Sequence, residues 1–122
     1  MAISEAESVV MDVLWRKHPL SAEDVVAALA GSTDWQEPTV KTLLNRLLKK
    51  KAVAAERDGR RYLYRPLLAR EDYVHAESKS LLDRLFDGRL APLVAHFSER
   101  EKLSRKDIAE LKRLIAEIDN DR

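Results

Sequence analysis

The chain has no cysteine among its 122 residues. That excludes a disulfide framework and any thiolate metal site. No apolar run approaches the roughly 18 residues of a membrane span. The N-terminus also lacks a signal-peptide pattern, so the expectation is a cytoplasmic chain with no direct membrane insertion. There are only three glycines, and no glycine-rich phosphate loop. The histidines His18, His75 and His96 fall on separate predicted elements without metal-ligand spacing. The acids are interleaved with bases as surface pairs. Catalysis finds no foothold, and the expectation is no enzyme, no cofactor and no metal. A net charge of +1 does not by itself indicate a nucleic-acid partner.

What is present is charge gathered in one place. From Lys41 to Arg65 nine Lys or Arg stand against Glu56 and Asp58, a net +7. From Arg70 onward eleven bases face twelve acids, a net −1. Localised positive charge is the usual footprint of a phosphate-binding surface. The stretch EPTVKTLLNRLLKKKAVAAERDGRRYLYR, residues 37–65, carries it. Its first half reads as a helix with an apolar stripe at steps of three and four: Val40, Leu43, Leu44, Leu47 and Leu48. Thr39, Lys41, Thr42, Asn45, Arg46 and Lys49 collect on the other side. The second half reads as a hairpin with Asp58-Gly59 at the turn and Arg57, Arg60 and Arg61 around it.

The flanking segments complete an order of elements. Ser4 and Glu7 have capping-box spacing and open a helix that should stop before Pro19. Ser21, with Asp24 in the box position, caps a second helix that runs to a stop at Gly31. Pro38 takes the first position of a third helix ending near Lys51, because its missing amide costs nothing there. Strands are expected near Val53–Arg57 and Arg61–Arg65. Three helices and a hairpin make the order of a winged helix-turn-helix. After Leu68 the composition shifts, with a long helix over residues 70–87, a break at Gly88, a shorter helix from Arg89 to Phe97, and a last helix capped by Ser104 and Asp107. The fold class is mainly α with a small β-hairpin wing: a winged helix over residues 1–68, then a three-helix dimerisation unit over 69–122.

In a helix-turn-helix the N-terminal part of the third helix lies nearest the base edges. Thr39, Lys41, Thr42 and Arg46 are therefore expected to contact bases. Lysine donates to guanine O6 and N7, and threonine offers a hydroxyl or a methyl. Asn45, Lys49, Arg57, Arg60 and Arg61 are expected on the sugar-phosphate backbone, where they add affinity without sequence discrimination. Lys50 and Lys51 either join them or are merely solvated. Tyr62 and Tyr64 share a strand face and are read as packing the hairpin onto its helices rather than as stacking groups. The last helix sets Ile108, Leu111, Ile115 and Ile118 at heptad spacing. With Leu81, Leu85 and Phe86 they would bury better against a second copy than alone, so a homodimer on double-stranded operator DNA is expected. A winged-helix adaptor that binds protein instead of DNA, and a DNA-binding activator, are the alternatives.

These segments together resemble the penicillinase-repressor family of BlaI, MecI and CopY over nearly the whole chain. SEAESVVMDVLW is similar to its opening, TVKTLLNRLLKKKAV to its recognition helix and exit, and RRYLYRP to its wing. SLLDRLFDGRLAPLVAHF, ERE and DIAELKRLIAEI are similar to its dimerisation half. The resemblance implies a homodimeric repressor on dyad-symmetric operator DNA, with Thr39, Lys41, Thr42 and Arg46 on its DNA-reading positions. It also implies release by a membrane-bound metalloprotease sensor pathway, through a cut between an Asn and a Phe. The corresponding pair here is His96-Phe97. Copper-responsive relatives carry a cysteine-rich tail, which this chain lacks.

Overall fold

The computed structural model describes residues 2–122. Its elements run α1 (Glu5–Arg16), α2 (Ala22–Leu29), α3 (Glu37–Lys49), β1 (Val53–Asp58), β2 (Arg61–Pro66), α4 (Arg70–Leu85), α5 (Leu90–Arg100) and α6 (Arg105–Asn120). The fold is mainly α with one two-stranded antiparallel hairpin. Contacts divide the chain into two compact units, Met1–His75 and Ala76–Arg122. The first turn of α4 lies in the first unit, where the Tyr73 ring packs 5.5 Å from Trp15 and the Trp15 Nε1–H donates to the Leu68 carbonyl at 2.9 Å.

Local chemistry sets the helix starts. Ser4 Oγ accepts from the Glu7 amide and the Glu7 carboxylate accepts from the Ser4 amide, a complete capping box. Ser21 and Asp24 form another at the head of α2. The Ser21 amide, which donates to the Asp24 carboxylate, and the neighbouring Ser21 hydroxyl hold that carboxyl below the usual aspartate range. Each cap satisfies amides that the first helical turn leaves without partners. Ser104 Oγ caps α6 by accepting from the Asp107 amide.

Several boundaries differ from the sequence expectation. Glu37, not Pro38, is the first residue of α3. A proline is tolerated one place further in because that amide also has no intrahelical acceptor. α2 ends at Leu29, before Gly31. α4 ends at Leu85, with Asp87 and Gly88 both at positive φ, and α5 runs on to Arg100. Asp58 pairs with Arg61, so the hairpin loop is Gly59-Arg60 rather than Asp58-Gly59. Gly59 has φ +63° and alone in the loop takes the left-handed region, which places glycine at the first loop position of a type II′ turn.

The first unit has a dry core. Val10, Met11 and Leu14 of α1, Val25 and Leu29 of α2, and Val40, Leu43, Leu44 and Leu47 of α3 are buried together with Val53. Leu20 extends the hairpin. Its amide donates to the Tyr64 carbonyl at 3.0 Å and its carbonyl accepts from the Tyr64 amide at 2.7 Å. That bridge ties the hairpin to the α1–α2 connection and fixes where the wing stands relative to α3. Burial raises the Tyr64 hydroxyl above the usual tyrosine range.

One charged contact also crosses this core. Glu7, 1% exposed, receives the Lys50 ammonium, which also donates to the Ala2 carbonyl at 2.9 Å. Burial pushes the Glu7 carboxyl up. The bonds from Lys50 and Ser4 outweigh it, and the net effect holds the group below the usual glutamate range. Lys50 thus closes the end of α3 onto the start of α1 instead of standing free in solvent.

Candidate nucleic-acid interface

α3 is amphipathic because its leucines recur at steps of three and four. Its core side anchors the helix, so the opposite side is presented at a fixed angle. Thr39, Lys41, Thr42, Asn45, Arg46 and Lys49 are all exposed on it, as are Arg57, Arg60 and Arg61 on the hairpin. Some of these groups are already engaged. The Lys41 ammonium lies 3.1 Å from the Glu37 carboxylate one turn earlier. Thr42 Oγ1 donates to the Pro38 carbonyl at 3.0 Å. Arg57 Nε donates to the Gly59 carbonyl at 3.1 Å, and Arg61 pairs with Asp58 at 3.3 Å.

The residues do not all gather at one point. Lys41, Arg60, Arg61 and Tyr62 line one cleft of about 260 Å³ with Glu23 and Glu37. Thr39, Thr42, Asn45, Arg46 and Lys49 lie outside it along the outer side of α3. The surface therefore has two parts: a helical strip with hydroxyl, amide and guanidinium donors, and a cationic notch where the helix meets the wing. A strip of donors on a helix is suited to base edges, and clustered cations to phosphate.

The two wing tyrosines separate. Tyr64 is 7% exposed and packs into the core, as the sequence reading expects of both. Tyr62 is 49% exposed, because the hairpin runs three residue pairs beyond the Ala55–Tyr64 pair to its turn. Glu37 and Tyr62 are neighbours of the expected DNA-contacting residues that sequence reasoning missed. The four-residue spacing of Glu37 and Lys41 was a legible signal, since residues one turn apart share a helix face.

In the second unit Leu81, Leu85, Ile108, Ile115 and Ile118 are exposed, while Phe86 and Leu111 are half-buried. His96 and Phe97 lie exposed on α5, the His96 ring 6.1 Å from Phe86 and 5.4 Å from Phe97. Among the described residues no group of His, Asp or Glu could hold a metal ion, and no helix is long and apolar enough to cross a membrane.

Known proteins are similar to this chain. The penicillinase repressor of Bacillus licheniformis is 35% identical over 118 residues, covering 97% of this chain and 92% of that protein. The methicillin resistance regulatory protein MecI of Staphylococcus aureus is 32% identical over 113 residues, covering 93% of this chain and 92% of that protein. The solution structure of monomeric B. licheniformis BlaI in complex with the blaP half-operator superimposes with a TM-score of 0.51 at 34% identity, over 60% of this chain and 89% of that one. The first of these is named a repressor, the second a regulatory protein, and the third is seen on half an operator. The family pattern described as Penicillinase repressor matches residues 3–117, and the chain belongs to that family.

Proposed function

We propose that this protein is a transcriptional repressor that binds dyad-symmetric operator DNA as a homodimer. The observation that carries the reading is the exposed donor strip of α3 beside a cationic hairpin, with the leucines of α3 buried in the core behind them. Thr39, Thr42 and Arg46 read base edges, while Asn45, Lys49, Arg57, Arg60 and Arg61 hold the backbone. The relatives named as repressors and the half-operator complex of BlaI support it.

Two copies join through the second unit. Its helices α5 and α6 and the part of α4 beyond His75 contain no fully buried residue, and Leu81, Leu85, Ile108, Ile115 and Ile118 face solvent. An apolar set of that kind gains from being covered, at about 25 cal/mol for each Å² removed from water. Cleavage between His96 and Phe97 by a membrane-bound metalloprotease pathway would separate α6 from the rest. It would thereby weaken the dimer and, through lost bivalency, the hold on DNA. The exposure of both residues supports this step.

Selection from a random duplex pool tests the reading. The protein should enrich an inverted repeat with half-sites about 10 base pairs apart or a multiple of that. Sedimentation should give two subunits for each enriched duplex. A pool that shows no enrichment, or a single half-site bound by one subunit, would sink it.

A further inference from the structure

The cleft between α3 and the wing brings Lys41 into the company of Arg60 and Arg61, not of Thr42 and Arg46. The wall between them includes the exposed Tyr62, whose hydroxyl is both donor and acceptor. At about 260 Å³ the space is far larger than one water and admits a phosphodiester with part of its sugar. Three cations line one concavity and suit an anion, with Arg61 also paired to Asp58 at 3.3 Å. The Lys41 ammonium is meanwhile occupied by Glu37 at 3.1 Å, on the same cleft wall. Glu23 adds a second carboxylate.

We propose that this cleft is a seat for one DNA backbone phosphodiester, in which Lys41, Arg60, Arg61 and the Tyr62 hydroxyl hold the phosphate and Glu37 competes with it for Lys41. The inference rests on the DNA-binding reading above. It assigns Lys41 to positioning and Tyr62 to binding, and it leaves base discrimination to Thr39, Thr42 and Arg46. Glu37 has a defined effect: its ion pair with Lys41 must open before the phosphate can be neutralised. Affinity for every duplex is lowered alike, because every duplex offers the same phosphate. Each phosphate neutralised releases condensed counterions, so the contact has a salt signature as well as an affinity.

Three variants of the full-length chain, titrated by fluorescence anisotropy against the selected duplex and a scrambled one over a range of chloride concentrations, test this. Lys41→Ala should weaken binding about five- to tenfold on both duplexes and flatten the salt slope by less than the roughly 0.9 of a whole phosphate, since Arg60 and Arg61 still line the same cleft. Tyr62→Phe should weaken both severalfold with no change in slope, since it removes a hydrogen bond and not a charge. Glu37→Gln should tighten both severalfold, and this gain should vanish when Lys41→Ala is added.

Loss under Lys41→Ala confined to one base pair of the selected duplex would overturn the proposal, as would unchanged or weaker binding under Glu37→Gln. Thermal protection by inorganic phosphate, with duplex binding indifferent to Lys41→Ala, would give the cleft to a free anion and overturn it too. If the wild-type chain bound no duplex at all, the underlying DNA reading would fail instead, so the two failures are distinct.

Discussion

The two units differ in how they dispose of their apolar side chains. In the first, Val10, Met11, Leu14, Val25, Val40, Leu44 and Leu47 are wholly shut off from water around one core. In the second, none of the helical residues beyond His75 is fully buried, and Leu85, Leu90, Ile115 and Ile118 are each more than half exposed. Both have regular helices, so secondary structure is not the difference. The first unit can satisfy its helices with one another, because three of them and a hairpin surround a common centre. The second has a heptad seam on α6 and too few partners within its own chain to cover it. A chain can thus complete the core of one unit by itself and leave the other with its apolar side chains largely exposed.

The largest effect should come from Leu44→Ala. Leu44 is fully buried, and removing its side chain should cost about 4 kcal/mol in urea unfolding of the first unit, within the usual range for leucine-to-alanine changes in a core. A cost under about 1 kcal/mol would mean that the first unit is no better packed than the second.

Next is Lys50→Met. It removes the cation from the buried Glu7 while keeping the aliphatic stem, and should cost about 2 kcal/mol. That is less than a fully buried pair would lose, because Lys50 is only partly covered. The same site has a pH signature. The Glu7 carboxyl in the folded protein sits below the glutamate range of the unfolded chain. Its contribution is therefore complete above the unfolded value, about 4.3, and is lost as pH falls through the folded value. Melting temperature followed downward from pH 6 should drop more steeply for the wild type than for Glu7→Gln. Parallel curves would remove the ion pair from the stability of the first unit.

The second unit should respond in the opposite sense. Ile115→Ala should leave the urea midpoint of the first unit unchanged. It should raise the dissociation constant of the dimer about tenfold, which corresponds to about 1.4 kcal/mol. Sedimentation equilibrium checks this, and an unaltered constant would take Ile115 out of the seam. The smallest effect expected is that of Arg60→Ala, which should flatten the salt dependence of duplex binding by less than about 0.9 per subunit, because Lys41 and Arg61 share its phosphate, without altering stability. An unchanged slope would place the wing tip away from the backbone.

Local pattern carried much of this structure into view beforehand. The Ser4–Glu7 and Ser21–Asp24 boxes, the stripe of α3 and the break at Gly88 each depend on residues within one or two turns of each other. The boundaries that differed depend on subtler balances, such as which of Asp58, Gly59 and Arg60 takes the left-handed position in the loop. The Leu20–Tyr64 bridge and the Glu7–Lys50 pair join positions more than forty residues apart, and no spacing rule connects them. Strand alternation put Tyr62 and Tyr64 on one face. It could not say that the core ends between them.

By itself, then, the order of residues determined which segments become helices or strands, which side of α3 is apolar, and that its positive charge lies in one stretch. Those properties follow from hydrogen bonds and periodicity within a few residues. Only the tertiary structure decided that Lys41 sits with the wing arginines and that Lys50 is drawn into the core. It alone decided that the tail leaves Leu85, Leu90, Ile115 and Ile118 more than half exposed. Such facts depend on how elements far apart in the chain share space, and on how much apolar surface each can remove from water.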